Sequence, residues 1–362
     1  MTDESYIKLA IEIAKKGMGS VAPNPLVGCV IIKNERIIGA GFHEKFGGKH
    51  AEINAIESAI ENVDGGTMYI NLEPCSHQGL TPPCANRIIE SKIKRVVVGT
   101  LDMNPLVSGR GIKKLKSAGI DVKVGILENE CVNLNKFFFK YILSGIPYVT
   151  IKVAQTLDGR IADEHGQSKW ITSPQSRKFV HELRSKYDAV LVGAGTVKQD
   201  DPNLTVRLVE GRNPRRIIID SNLSIRSTNK LYLNNSDKKL IIVTSVNNLD
   251  KKNKLKRLTN AGAHIIFVNE DEKKKLNLKE VLKELGKIKI SSVLVEGGGG
   301  VFTSFIKKNL FDEILLFISP KFLGAGLPVV NNIGIRSIRN ALKLKINNCE
   351  RIGDDILVEL NK

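Results

Sequence analysis

No run of about 18 uncharged apolar residues occurs along the 362 residues, so a membrane-spanning helix is not expected. The N-terminus also lacks the basic-then-apolar layout of a secretory leader. Asp3 and Glu4 come first, followed by apolar residues at helical spacing: Ile7, Ala10, Ile11, Ile13 and Ala14. A cytoplasmic protein without membrane partners is expected. Cysteine is scarce, and an odd count of five argues against a disulfide framework and toward metal or thiol chemistry. Cys29, Cys131 and Cys349 lie in or beside apolar segments and read as small fillers, which singles out Cys75 and Cys84. Aromatic residues are few, with one tryptophan, and internal repeats and low-complexity tracts are absent.

What is abundant is positive charge. The net charge of +17 raises nucleic acid as a partner. Residues 1–145 hold 18 basic and 15 acidic groups, whereas residues 146–362 hold 37 and 23, so the excess lies in the second part. Much of it sits in lysine runs (Lys251, Lys252, Lys254, Lys256 and Lys273 to Lys275) that are broken by acids and lack interleaved aromatics. These read as solvated surface and not as a stacking groove for single strands. No nucleic-acid partner is expected, although a phosphate-bearing small ligand could use a few of the charges.

The length predicts two cores. From residue 4 the pattern alternates. A helix over 4–17 is followed by strands over 26–32 and 37–41, a helix over 51–62, a strand over 67–72 and a helix opening near Pro83. A strand over 95–99, a helix over 111–118 and a short strand over 122–124 complete the first part. Residues 137–147 read as the hand-over, which places domains at 1–145 and 146–362. The second part restarts with strands at 148–154, 189–193, 216–220, 240–244, 264–268 and 292–296, several of them continuous apolar runs typical of buried parallel strands. Both parts are therefore expected to be layered α/β domains.

His50 and Glu52 open a helix, and Glu73-Pro74-Cys75 follows a strand and leads through a loop to Pro83-Cys84 at the next helix start. One imidazole and two thiolates suit zinc, which leaves a fourth position for a water whose pKa falls to about 7. Residues two apart diverge in mid-helix, so His50 and Glu52 can converge only in a first turn. The arrangement resembles the cytidine deaminase superfamily, whose signature is H-x-E followed by P-C-x-x-C. The cysteines here stand nine positions apart, and the longer loop is similar to the riboflavin-biosynthesis branch of that superfamily.

The resemblance implies one zinc per chain on His50, Cys75 and Cys84, with Glu52 as the catalytic proton shuttle. It also implies a substrate loop at Ala22 to Gly28, with Asn24 as a base contact and His43, His77, Asp102 and Asn104 as further substrate contacts. Leu80 departs from the basic residue usual in that branch. Either other groups hold a phosphate there, with Lys45, Lys49 and Arg110 as candidates, or the grip is weaker.

In the second part, Ser292 to Glu296 and the four glycines Gly297 to Gly300 form a strand-to-helix turn. Backbone can approach a ligand closely there, and helix amides attract phosphate. The turn does not match the dinucleotide fingerprint G-x-G-x-x-G. Segments Lys152 to Arg160, Ser168 to Thr172, Asp188 to Arg207 and Val295 to Gly300 resemble the reductase half of bifunctional riboflavin-biosynthesis deaminase-reductases, so the resemblance spans nearly the whole chain. It implies a three-layer α/β/α cytidine-deaminase-like domain followed by a dihydrofolate-reductase-like α/β domain. NADPH contacts are implied at Ala154, Trp170, Thr196, Asp200, Ser221, Gly298, Gly299, Gly300, Val301, Phe302, Thr303 and Ser304. Substrate contacts are implied at Ser168, Arg184, Leu204, Arg207 and Glu296, with Lys152 and Asp200 as candidates to assist opening of the sugar ring.

The expected activity is removal of a ring amino group from a phosphorylated pyrimidine ribosylamine, then NADPH-dependent reduction of its ribosyl group to ribityl, by a homo-oligomer. Two rivals remain open: a nucleic-acid or nucleoside deaminase with a basic binding module, and a deaminase fused to a non-catalytic scaffold.

Overall fold

The computed structural model describes residues 1–78, 82–105 and 107–362. The chain divides into two compact units, Met1–Gly145 and Ile146–Lys362.

The first unit begins with helix α1 (Asp3–Ala14), whose N-cap Thr2 accepts a hydrogen bond from the Ser5 amide and whose first turn is acidic. Strands β1 (Gly28–Lys33) and β2 (Arg36–Phe42) form a hairpin, followed by α2 (Ala51–Glu57), β3 (Thr67–Leu72) and α3 (Cys84–Glu90). Then come β4 (Arg95–Thr100), α4 (Arg110–Ser117), β5 (Asp121–Val124), α5 (Glu128–Leu134) and α6 (Lys136–Ser144). The sheet order is β2-β1-β3-β4-β5; β1 is antiparallel to β2 and β3, and β3, β4 and β5 run parallel.

Alternation along the strands sorts side chains to two faces. Cys29, Ile31, Met68, Ile70, Val96 and Val98 pack with Ala51, Ala55, Ala85, Ile88 and Leu115 of α2, α3 and α4. Val30, Ile32, Tyr69 and Val97 pack with Ile7, Ala10 and Ile11 of α1 and Cys131 of α5. The result is three layers. A Cβ at Gly41 would collide with the backbone of Ala51 and Ala55, so glycine lets α2 lie close on β2.

The second unit contains β6 (Tyr148–Thr156), β7 (Arg160–Ala162), α7 (Pro174–Lys186), β8 (Ala189–Gly193), α8 (Ala194–Asp200), β9 (Arg215–Ile219) and α9 (Lys230–Leu233). It continues with β10 (Leu240–Ser245), α10 (Lys252–Asn260), β11 (His264–Val268), α11 (Leu278–Lys287), β12 (Ser292–Val295) and α12 (Gly299–Lys307). It closes with β13 (Glu313–Ser319), β14 (Leu327–Pro328), β15 (Lys345–Ile352) and β16 (Asp355–Asn361). The main sheet runs β11-β10-β9-β8-β12-β6-β13-β16-β15, parallel as far as β13 and antiparallel beyond it.

Buried apolar strands such as Val190 to Val192 and Val293 to Val295 carry the core, with Phe302, Phe305 and Leu285 packed on them. Residues 137–147 are not a plain linker. Helix α6 occupies most of them and stops at Gly145, which takes the left-handed conformation at φ 68°. No helix of the described residues is long and apolar enough to cross a membrane.

Candidate functional site

His50 is the N-cap of α2, in extended conformation (φ −76°, ψ 163°), yet its side chain makes no capping bond. The imidazole turns instead to the sulfurs: Nδ1 lies 3.2 Å from Cys84 Sγ and 3.6 Å from Cys75 Sγ. Cys75 follows β3, and Cys84 opens α3, where an unpaired helix-start amide is available. That Cys84 amide donates to Cys75 Sγ at 3.3 Å. The three ligand atoms lie within 4.8 Å of one another, the only such group among the described residues. The Cys84 thiol and amide and the His50 ring stabilise a thiolate at Cys75, holding its thiol well below the usual range. One imidazole with two convergent sulfurs, one of them readily ionised, is a donor set that fits zinc.

Glu52 sits in the first turn of α2, buried beside this group. Burial first, then the Cys75 sulfur, push its carboxyl up to about 7. His43 ends the next contact shell. Its ring meets the His50 ring edge-on at 5.4 Å, Nδ1 lies 3.0 Å from the Lys49 carbonyl, and Nε2 lies 3.1 Å from the Asn24 side-chain nitrogen. The carbonyl can only accept, so Nδ1 carries the proton and Nε2 accepts from Asn24. Burial holds the His43 ring down toward neutrality.

Asp102 lies after β4, buried, its carboxyl raised to about 6 by burial, and its Oδ1 accepts the Asn104 amide at 2.8 Å. His77 is exposed just beyond Cys75. Sequence reasoning missed Glu73, although it stands in the Glu-Pro-Cys segment. Its buried carboxylate accepts the amides of Asp102, Gly109, Gly111 and Ile112. Leu80 lies outside the described residues. Of the candidate phosphate anchors, Lys49 is paired with Glu57 at 2.7 Å, while Lys45 and Arg110 are exposed with no acidic partner among the described residues.

In the second unit a cleft of about 1360 Å³ opens at the carboxyl ends of the parallel strands β6, β12, β8 and β9, where α/β sheets take ligands. Lys152, Ala154, Ser168, Trp170, Arg184, Thr196, Asp200, Leu204, Arg207, Ser221 and Glu296 all line it, as do Gly298 to Phe302 and Ser304. Thr303 does not line it; its hydroxyl donates to the Gly299 carbonyl and accepts the Asn331 amide at 2.8 Å, supporting the turn from behind.

The Gly298 amide donates to Thr196 Oγ1 at 3.1 Å. Ser168 Oγ donates to Asp200 Oδ2 at 3.4 Å, and burial raises the Asp200 carboxyl. Burial lowers the Lys152 ammonium. Arg184 gives its fork to Glu296 at 2.7 and 2.9 Å and Nη1 to the Thr205 carbonyl at 3.2 Å. Arg207 is exposed and has no acidic partner among the described residues. Trp170 is 66% exposed, with the Arg177 guanidinium 4.3 Å from its ring centroid. Arg177 and His181, both lining the cleft, were not anticipated from the sequence.

These features define a class: a zinc-type deaminase unit and a nucleotide-cofactor reductase unit in one chain. The cytidine and deoxycytidylate deaminase zinc-binding region matches residues 1–100, and the RibD C-terminal domain matches residues 147–358. The riboflavin biosynthesis protein RibD of Aquifex aeolicus is 47% identical over 357 residues, 98% of this chain and 97% of its own length. That of Escherichia coli is 35% identical over 99% of both. The crystal structure of a diaminohydroxyphosphoribosylaminopyrimidine deaminase/5-amino-6-(5-phosphoribosylamino)uracil reductase from Thermotoga maritima superimposes with a TM-score of 0.87 at 42% identity, covering 99% of this chain and 98% of that one. The chain belongs to the RibD family, the bifunctional deaminase-reductases of riboflavin biosynthesis.

Proposed function

We propose that the first unit hydrolytically deaminates 2,5-diamino-6-(5-phosphoribosylamino)pyrimidin-4(3H)-one and that the second reduces the ribosyl group of the product to ribityl with NADPH. The observation that carries this reading is the convergence of His50, Cys75 and Cys84 on one point beside the buried carboxyl of Glu52.

Held by those three ligands, zinc would supply an activated water near neutral pH. Glu52, poised near neutrality, takes the proton of the incoming water and returns it to the leaving amine, so that water enters and ammonia departs. Asn24, oriented by neutral His43, presents its side-chain amide to the pyrimidine edge. Asp102, Asn104 and His77 complete the substrate contacts, and Lys45 and Arg110, without acidic partners among the described residues, are the cations for a phosphate.

NADPH supplies the hydride of the second step. Gly298 to Gly300 and the N-terminus of α12 receive its phosphates, with Thr196 holding the turn and Ala154, Trp170, Asp200, Ser221, Val301, Phe302 and Ser304 as further contacts. Lys152 and Asp200 are both driven toward neutrality by burial, which suits moving a proton as the ribosyl ring opens. Arg207 anchors the substrate phosphate, while Arg184 divides its charge with Glu296. Ser168 and Leu204 bound the substrate pocket.

We also place the protein in the cytoplasm, because five free cysteines fit a reducing compartment, and expect self-assembly. The exposure of Phe322, Ile338 and Ile346 in the last part of the chain supports the latter. The test is an assay of purified zinc-loaded protein with the diamino substrate. Ammonia release without NADPH, and NADPH oxidation only once the deaminated product is present, are expected. NADPH oxidation on the undeaminated substrate at an equal rate would reverse the assigned order.

A further inference from the structure

Helix α7 presents Arg177, His181 and Arg184 on one face, at i, i+4 and i+7, and all three line the cleft of the second unit. Two of them are occupied: Arg177 stacks on Trp170 and donates to the Thr172 carbonyl, and Arg184 is bound to Glu296 and Thr205. His181 is 5% exposed, and its Nδ1 accepts the backbone N–H of Arg207 at 2.9 Å. A ring nitrogen that accepts an amide hydrogen carries none itself, so the ring is the neutral tautomer with its hydrogen on Nε2. Burial, Arg184 and Arg207 together push the imidazole down to about 4, which keeps that tautomer neutral at working pH. Nε2–H has no hydrogen-bond partner among the described residues, in a cleft wall that already carries the guanidinium of Arg207, which donates to Thr205 Oγ1 at 3.3 Å and has no acidic partner among the described residues.

We propose that His181 is a substrate-binding residue of the reductase, whose Nε2–H donates to the substrate phosphomonoester beside Arg207 while its Nδ1 sets the backbone that carries that arginine. A neutral donor next to one cation that lacks an acidic partner binds a dianion without adding a second charge that burial would oppose. The inference rests on the reading that this corner takes the ribosyl phosphate and not the phosphates of NADPH.

Full-length enzyme tests it with His181→Asn, whose side-chain oxygen keeps an acceptor for the Arg207 amide but lacks the distal donor, and with His181→Gln, which keeps a distal donor. His181→Asn is expected to raise the KM for the phosphorylated intermediate about 10-fold, the scale of one charge-assisted bond. Its kcat, its KM for the dephosphorylated intermediate and its NADPH dissociation constant are expected to stay within about twofold, and His181→Gln, which restores a distal donor but gives up the acceptor for the Arg207 amide, to recover part of the loss. An equal rise for both intermediates, or weakened NADPH binding, overturns the proposal.

Arg207→Ala separates the layers. If it shows the phosphate-selective loss and His181→Asn does not, only the role of His181 fails; if neither does, the phosphate reading of the corner fails with it. Nitrogen-15 NMR of histidine-labelled wild-type enzyme, which needs no variant to fold, is expected to show Nε2–H of His181 shifting on titration with ribose 5-phosphate. No shift at saturation overturns the contact.

Discussion

Arg184 and Glu296 meet fork to carboxylate, Nε on Oε1 at 2.7 Å and Nη2 on Oε2 at 2.9 Å, with side chains only 12% and 7% exposed. Removing one partner of such a pair leaves a buried, uncompensated charge and costs about 3–5 kcal/mol. Arg184→Ala should therefore lower the thermal midpoint of the reductase unit markedly. Loss of reductase activity without a change in midpoint would mean that the arginine acts on the substrate and not on Glu296.

Arg207 is the cleaner probe of phosphate binding because it is exposed and carries no acidic partner among the described residues. Arg207→Ala should raise the reductase KM at least ~10-fold, from a charge-assisted contact worth about 1.5 to 3 kcal/mol. Deamination should remain within about twofold. The opposite pattern, damaged deamination with intact reduction, would point the basic second unit at a different ligand.

At the metal cluster, two substitutions should part company. Cys75→Ser removes a sulfur that lies 3.6 Å from His50 Nδ1, and metal analysis should show zinc lost. Glu52→Gln leaves all three ligand atoms in place, so zinc content should hold while deamination falls ~10²-fold or more, the scale of a positioned proton shuttle. A full zinc equivalent in Cys75→Ser would remove that cysteine from the ligand set.

The inner strands were legible because a parallel strand buried on both faces must be apolar throughout, as in Ile241 to Val243 and Val293 to Val295. The strands expected from the sequence end at Glu296, however, and β13, β15 and β16 lie beyond it. Most of β15 is exposed, Lys345 to Arg351, with no alternating face to mark it; its partner β16 makes it a strand. At the first site, chemistry constrained the local fold: His50 and Glu52 can work together only at a helix start, and that is where they lie. At the second, the resemblance implies a substrate contact at Arg184, while its ion pair with Glu296 joins residues far apart in sequence. His181 and Glu73 stayed hidden for the same reason, since each acts through backbone amides brought to it by the fold.

Asp3 ties α1 to the sheet, with its carboxylate accepting from Arg95 at 3.1 and 2.9 Å, Lys123 at 3.0 Å and Tyr69 at 3.0 Å. Burial pushes its carboxyl up, but the bonds from Arg95, Lys123 and Tyr69 outweigh it and hold the pKa at about 2. A depressed carboxylate contributes stability that is present above its unfolded pKa of about 3.9 and is lost as pH falls toward its folded value. Asp3→Asn should cost on the order of 1 kcal/mol at neutral pH, discounted because Arg95 and Lys123 are partly solvated. The gap between wild type and variant should close as pH drops from about 5 to about 2. A gap that stays constant over that range would rule out the ion pairs as its source.

Glu73 gives the last expectation, because four backbone amides converge on one buried carboxylate. Oε2 accepts from Asp102 at 3.2 Å and Gly109 at 2.9 Å, while Oε1 accepts from Gly111 at 2.9 Å and Ile112 at 3.4 Å. The carboxylate thus joins the end of β3, one residue before Pro74-Cys75, to the loop that carries Asp102 and to the start of α4. In Glu73→Gln, whichever way the amide is turned, an NH2 group faces two of those N–H donors, and each unsatisfied buried donor costs about 1–3 kcal/mol. Asp102 should then lose its fixed position, and with it the cap on the Asn104 amide. The deaminase KM should rise about 10-fold with zinc content unchanged, and reduction of supplied intermediate should stay within about twofold. Aspartate, one methylene shorter but with two acceptor oxygens, should recover part of the loss. A lowered thermal midpoint with a normal deaminase KM would show instead that the four bonds hold the fold without positioning the substrate loop.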